Sequence, residues 1–449
     1  MIGLSLREIA DVTGGTAHGD HDLVVRGSAS ADSRDLQQDG LFVAIAGEHV
    51  DGHDFVAQAV GAGAAAVLAT RAVDAPSVIV DDATIALGKI AREVLDRRHD
   101  LRVIGITGSQ GKTSIKDLLA HVLAVAGSTI ASVGSFNNEL GVPLTVLRTE
   151  DRTRFLVVEM GSRGIGHIAT LCHIAPPAIG VVLNVGSAHI GEFGSIDATA
   201  VAKGELVEAL PAAGTAILNA DDARVAAMAS RTDARVITFG ETGDLALSAV
   251  RLDGFGEPQF TLTYENQRVE TSVPRLGAHH AINAAAAAAV GIAVGMSLAD
   301  IGAALENATA RSPMRMAKTV REDGVVVIND AYNANPDSMA AALRAVAAIG
   351  GSGRTYAVLG EMLELGETSA EAHRRVGALA AELGITCVVA VGDGAAGIAE
   401  GAGFLAHRVA GVEAAVAFLT ERLQSSDVVI VKASRGARLE RVADALLGR

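Results

Sequence analysis

Gly105-Ile106-Thr107-Gly108-Ser109-Gln110-Gly111-Lys112-Thr113 is the stretch on which the reading of this 449-residue chain turns. The apolar run Val103–Ile106 leads into it and a helix-like segment from Thr113 to Ala126 leads out, so a glycine-rich loop joins a buried strand to a helix. With Gly105 as its first glycine and Gly111-Lys112-Thr113 as its end, it reads as a phosphate-binding loop. Glycines let successive backbone N–H groups turn onto phosphate oxygens, and the helix N-terminus adds favourable partial charge. In such a loop Lys112 contacts the β- and γ-phosphates and the Thr113 hydroxyl ligates Mg²⁺. A glycine turn with an incidental Lys-Thr pair is the plain alternative, and the strand before and helix after argue against it. The motif implies a nucleotide but names no reaction.

Around the loop lies a central block, residues 100–312, with further apolar runs at Phe155–Val158, Ile179–Leu183 and Ala216–Leu218. Runs without alternation indicate strands buried on both faces, as in a parallel sheet covered by helices. Open sheets of this kind place their sites at the C-terminal ends of the strands. Glu159 stands at one such end and could hold Mg²⁺, a hard cation that favours oxygen. Standing alone it reads as an exposed strand-end carboxylate. His189 follows the next strand in Asn184-Val185-Gly186-Ser187-Ala188-His189. A lone histidine is more often structural than a ligand, and only its place beside a phosphate loop raises it. Lys203 falls on a helical stretch after Gly194, where a solvated helix lysine is the plain reading.

On either side the pattern changes. Residues 313–449 alternate apolar runs (Val325–Ile328, Tyr356–Leu359, Cys387–Val391, Val428–Val431) with helical segments such as Ser338–Ala348 and Glu413–Leu423, a second doubly wound pattern. Residues 1–99 mix short runs, Leu41–Ala46, Ala64–Ala69 and Ser77–Val80, with helical stretches near Phe55–Val60 and Ile90–His99. The fold class expected is α/β in three domains: a small N-terminal α/β domain, a central P-loop parallel-sheet domain and a C-terminal Rossmann-like domain.

Composition narrows the function. A net charge of −15 carries no basic surplus, so a nucleic-acid binder is not expected. Cys172 and Cys387 alone can build neither a disulfide framework nor a four-cysteine zinc site, which fits a reducing cytosol. Ala281 to Met296 is apolar but mostly Ala and Gly with Asn283, a buried helix rather than a membrane span. No signal core follows Met1, so the protein is expected to be cytoplasmic and without a transmembrane segment. A monomer is expected.

Assembled, these residues resemble the Mur ligase family along essentially the whole chain. Gly108, Ser109, Gln110, Gly111, Lys112, Thr113 and Ser114 are similar to its ATP loop, and Glu159 and His189 to its metal positions beside Thr113. Lys203 matches the lysine that many members carry as a carbamate orienting Mg²⁺. Asn283, in Gly277-Ala278-His279-His280-Ala281-Ile282-Asn283, matches a residue facing the nucleotide; the family commonly has His-Asn at His279-His280. Arg315 matches an arginine reaching ATP phosphate and Asp330 an aspartate near the ribose. Asn137-Asn138-Glu139 resembles a loop holding the UDP-linked substrate, and Asp32-Ser33-Arg34 a uridine-nucleotide domain, although Ser33 and Arg34 alone read as turn chemistry. Asp330 to Met339, with Asn333 and Asn335, and Leu359 to Gly366 resemble the branch that adds D-alanyl-D-alanine.

The resemblance therefore implies ATP and Mg²⁺ as cofactors. It implies UDP-N-acetylmuramoyl-tripeptide and D-alanyl-D-alanine as substrates, with amide formation through an acyl phosphate. Lys112, Glu159, His189, Lys203 and Arg315 are its implied catalytic set. Domain closure near Arg311–Pro313 is expected to bring Arg315 and Asp330 to the nucleotide. Two competing readings are another ligase of the superfamily, like folylpolyglutamate synthase or cyanophycin synthetase, and a P-loop switch that hydrolyses nucleotide without forming an amide.

Overall fold

A computed structural model describes residues 1–47, 50–186, 195–309, 312–349 and 353–449. Three large sheets organise them, beside a two-stranded pairing of Leu4–Ser5 with Val24–Val25. The first has five strands in the order Thr16–His18, Ser77–Ile79, Ala64–Ala69, Gly40–Val43 and Ala29–Ser30, antiparallel only at its first pairing. Asp82 caps the helix Ala83–Asp96 by accepting from the Thr84 and Ile85 N–H groups, so this helix starts earlier than the charged segment expected at Ile90–His99.

The central sheet has nine strands. Seven are mutually parallel: Thr129–Ala131, Phe155–Glu159, Arg102–Thr107, Ile179–Val182, Thr215–Asn219, Arg235–Gly240 and Leu245–Leu252. Pro258–Tyr264 and Gln267–Ser272 extend it antiparallel. The apolar runs read from sequence are the inner strands, and every residue of Phe155–Glu159 and Ile179–Val182 is buried. Helix Lys112–Ala126 covers one face with Ile115, Leu118, Leu119, Val122 and Leu123 in a single cluster with the sheet. Fully burying such a side chain contributes roughly 1.5–3 kcal/mol. The alanine-rich helix His279–Ala293 packs against it; Ala284 through Ala289 are all buried, and their small side chains allow close approach. Among the described residues no helix is long and apolar enough to cross a membrane.

The third sheet runs Ala317–Val320, Val326–Asn329, Val428–Lys432, Thr355–Leu359, Cys387–Val391 and Ala406–Val409, with only the first pairing antiparallel. Several contacts tie it to the central domain. Ser312 donates from N and Oγ to the Asp117 carboxylate (2.9 and 3.0 Å), and Asp117 pairs with Lys116 at 3.0 Å, all three buried. Ser312, in the stretch expected to act as a hinge, is thus bonded to the helix that follows the phosphate loop. Farther out, Gly256 sits at φ +80° against Ile349, which a Cβ there would overlap, and Lys318 lies 5.0 Å from the Phe255 ring centre.

Candidate active site

Gly105, counted as the loop's first glycine in the sequence, is a buried residue inside the strand Arg102–Thr107; the loop glycines are Gly108 and Gly111. Gly111 adopts φ +85°, and a Cβ there would lie 2.9 Å from Asn283 Oδ1, so both conformation and space require glycine. Asn184 clamps the loop from below, accepting from Gln110 N at 3.0 Å and donating to Gln110 O at 3.2 Å. Lys112 Nζ donates to Gly108 O at 2.6 Å, and burial lowers its pKa.

One cleft of about 510 Å³ opens over this loop. Ser109, Gln110, Gly111, Lys112, Thr113 and Ser114 line it, as do Asn137, Asn138, Glu159, Lys203 and Asn283 from the central domain. Arg315, Asp330, Asn333 and Asn335 line it from the C-terminal domain. Gly108 lies beneath, and Ser33 and Arg34 are not among the lining residues. His189 lies outside the described residues.

Glu159 is 1% exposed, which corrects the reading of it as a solvated strand end. Thr113 Oγ1 donates to its Oε2 at 2.9 Å and Asn137 Nδ2 to its Oε1 at 2.8 Å. A hydroxyl and a carboxylate oxygen in contact at a P-loop form a hard-donor set that suits Mg²⁺. Among the described residues no cluster of three or more His, Cys, Asp or Glu adds a further metal centre.

Lys203 is also not the solvated helix lysine that the sequence suggests. It is 4% exposed, and burial, with Lys112 nearby, holds its pKa well below the usual lysine range. A neutral amine is the form that can add CO₂, so the setting fits a carbamate. Its helix, Ile196–Glu208, is buried over most of its circumference, and Glu205 accepts from the Gly166 and Ala169 N–H groups.

Arg315 crosses from the C-terminal domain. Its Nη2 donates to Thr113 Oγ1 at 3.1 Å and its guanidinium lies 4.2 Å from the centre of the Tyr332 ring, while its Nε is buried without a partner in the structure. Met314 and Met316, on either side, take φ of +57° and +50°, costly for non-glycine residues and concentrated where the chain must aim one side chain. Tyr332 also contacts the Ser135 hydroxyl across the domain boundary. Arg315 thus reaches the phosphate loop, and Asp330 lines the same cleft.

Several residues have local duties as well. Asp330 accepts from Met316 N at 3.0 Å and pairs at 2.7 Å with Lys432, which also donates to Asn333 O. Sequence reasoning missed Lys432, although a basic residue ending the apolar strand Val428–Lys432 obeys the rule that found Glu159. Asn335 Oδ1 accepts from Ser338 N and thereby caps the helix Pro336–Ile349, while Asn138 Oδ1 accepts from Gly141 N. His279 and His280 line the cleft with ring centres 4.2 Å apart; burial lowers His279 to about 4 and pushes His280 down as well. Neither His280 nitrogen has a partner in the structure. In the N-terminal domain Arg34 is exposed and grips the Asp32 carboxylate through Nε (2.9 Å) and Nη2 (2.7 Å).

Comparison with known proteins follows the three sheets. Residues 28–100 match the Mur ligase family catalytic domain, 106–291 the Mur ligase middle domain, and 314–435 the Mur ligase glutamate ligase domain. The chain is 44% identical to the UDP-N-acetylmuramoyl-tripeptide--D-alanyl-D-alanine ligase of Mycobacterium bovis, in an alignment covering all of it and 98% of the relative. The structure of UDP-N-acetylmuramoylalanyl-D-glutamyl-2,6-diaminopimelate--D-alanyl-D-alanyl ligase from Acinetobacter baumannii superposes with TM-score 0.87 at 30% identity, covering 100% of this chain and 99% of that one. The MurF ligase of Thermotoga maritima in complex with ADP superposes with TM-score 0.81 at 29% identity, covering 94% and 98%.

Proposed function

The chain belongs to the Mur ligase family, and from that premise we propose that it joins D-alanyl-D-alanine to UDP-N-acetylmuramoyl-tripeptide at the expense of ATP. The observation that carries this reading is the shared cleft. Arg315 of the C-terminal domain reaches Thr113 of the phosphate loop, beside Glu159 and Lys203. The relatives at full-length coverage favour the D-alanyl-D-alanine branch over folylpolyglutamate- or cyanophycin-type ligases.

The chemistry begins with a repulsion. The terminal carboxylate of the tripeptide attacks the γ-phosphorus, forming a C–O–P linkage as the bond to ADP breaks, and both reactants are anions. Lys112 and Arg315 supply the neutralising charge, and the loop's N–H groups hold the phosphates in a partly dry cleft where such donors act strongly. When bound, Mg²⁺ would add neutralisation at the β- and γ-phosphates, held by Thr113 Oγ1 and Glu159, with His189 as a further candidate ligand. A carbamate on Lys203 would place an anion beside Lys112 and the metal. The uncharged amine of D-alanyl-D-alanine then attacks the acyl carbon, phosphate leaves with the C–O electron pair, and the amine gives up a proton. Asn283 faces the nucleotide beside Gly111, and Asp330, held by Lys432, is the ribose candidate. Asn137, Asn138, Asn333 and Asn335, which line the cleft, are the candidates for holding the peptide substrates, and Ser33 and Arg34 those for the uridine end.

The test is phosphate release from ATP with each substrate alone and with both, the products being weighed by mass spectrometry. Release that needs both and yields UDP-muramoyl-pentapeptide supports the assignment. Release indifferent to D-alanyl-D-alanine overturns it.

A further inference from the structure

Six basic side chains line the cleft, and five are accounted for. Lys112 and Arg315 lie at the phosphate loop, Lys203 is buried beside them, Lys432 pairs with Asp330, and Arg435 pairs with Glu440 at 3.1 Å. Arg163 is the sixth. It is exposed, and no carboxylate partners it among the described residues. It lies four residues after Glu159, on the segment Gly161 to His167 that follows the metal-site strand.

That segment is held from both ends. Gly161 N donates to Asn137 O at 2.8 Å, and Ser162 Oγ donates to Gly164 O at 2.7 Å. The Glu205 carboxylate takes the N–H groups of Gly166 and Ala169, so the start of the helix His167–Ile174 is already satisfied and is no anion site of its own. His167 is exposed in the same cleft, its Nε2 3.7 Å from where a Cβ on Gly164 would lie. Between the two, Ile165 is 61% exposed. A fixed loop thus presents a guanidinium, an aliphatic side chain and an imidazole at the mouth of the site.

We propose that Arg163, assisted by His167, holds a carboxylate of the acceptor peptide other than the one being activated. This rests on the ligase reading above. ATP already has the loop amides, Lys112 and Arg315, so an additional unpaired cation next to the metal-site strand suits the second anionic substrate. In a muramoylalanyl-D-glutamyl tripeptide the glutamyl residue has two carboxyl groups and uses one in the chain. A free carboxylate therefore stands on the residue before the reacting end, within the span of the same cleft. A guanidinium fork matches it in a bidentate manner, and the adjacent Ile165 can cover apolar peptide surface.

The experiment compares wild type with Arg163→Ala, Arg163→Lys and His167→Ala in turnover, and in calorimetric binding of UDP-muramoyl-tripeptide. It does so with the free glutamyl carboxylate and with its carboxamide. For Arg163→Ala the KM and Kd for the free acid should rise about tenfold or more while KM for ATP stays put. Lysine should restore part of the loss, and His167→Ala should give a smaller increase of the same pattern. With the carboxamide the wild type should already bind weakly, and Arg163→Ala should change little further. An equal penalty on both ligands, no penalty, or a rise in KM for ATP instead overturns the assignment. A wild type that makes no pentapeptide from either ligand sinks the ligase reading itself, a different result from an active wild type insensitive to Arg163.

Discussion

Replacing Arg315 by alanine is the most informative single change, because its cost in turnover and its cost in stability should separate. The side chain makes one bond to Thr113 Oγ1, stacks on Tyr332 and leaves a buried Nε free to meet a phosphate oxygen. The stacking is worth about 1 kcal/mol, which in a chain of this size moves the melting temperature little. In the transition state for phosphoryl transfer the same guanidinium faces growing charge. Losing one preorganised donor of that kind costs about 3–4 kcal/mol, a factor of roughly 10²–10³ in kcat. Arg315→Lys keeps the charge but not the fork and should recover only part of it. Steady-state phosphate release with all three substrates measures kcat and each KM, and a thermal melt of the same preparation checks the fold. A kcat within about threefold of wild type, or a loss confined to KM for ATP, would refute a transition-state role for Arg315.

Three further changes probe other parts of the molecule. Lys203→Ala should remove nearly all turnover with little unfolding, and ¹³C-bicarbonate should give wild type, but not the variant, a carbamate carbonyl resonance; no such signal in wild type would end the carbamate proposal. Asp117→Ala leaves Lys116 buried without its carboxylate and should cost about 3–5 kcal/mol in chemical denaturation, whereas an effect under about 1 kcal/mol would show that the hinge network contributes little. The third is a pH effect. Burial, against the opposing pull of Asp330 and with Lys432 nearby, holds His279 at about 4, while an unfolded histidine titrates near 6.5. Between those values the unfolded chain binds a proton that the folded one refuses, so stability should fall as pH drops through the window, by on the order of 3 kcal/mol for this group. His279→Gln should shrink that loss, and equal acid sensitivity in both proteins would count against it.

Much of the architecture was readable because buried parallel strands are written as unbroken apolar runs. Ala64–Ala69 and Cys387–Val391 appear where the sequence puts them, and Lys112–Ala126 differs by one residue. The antiparallel extension was missed for the complementary reason. Pro258–Tyr264 alternates apolar with polar residues and Gln267–Ser272 has Val269 as its one aliphatic residue, so no apolar run marks them. At the site, strand-end position exposed Glu159, but its burial and that of Lys203 depend on what packs over them, which local sequence does not encode. Asn335 shows the reverse: an Asn-Pro-Asp-Ser cap signal was present and went unused. Arg163 could not be singled out without knowing what engages the other five cations, a property of the folded cleft.

The most direct measurement starts from UDP-muramoyl-tripeptide carrying ¹⁸O in its terminal carboxylate, incubated with ATP, Mg²⁺ and D-alanyl-D-alanine, with both products weighed. Attack of that carboxylate on the γ-phosphate should send one ¹⁸O into inorganic phosphate for every pentapeptide formed. Unlabelled phosphate beside pentapeptide would contradict the acyl-phosphate route, and phosphate without pentapeptide would contradict the ligase assignment.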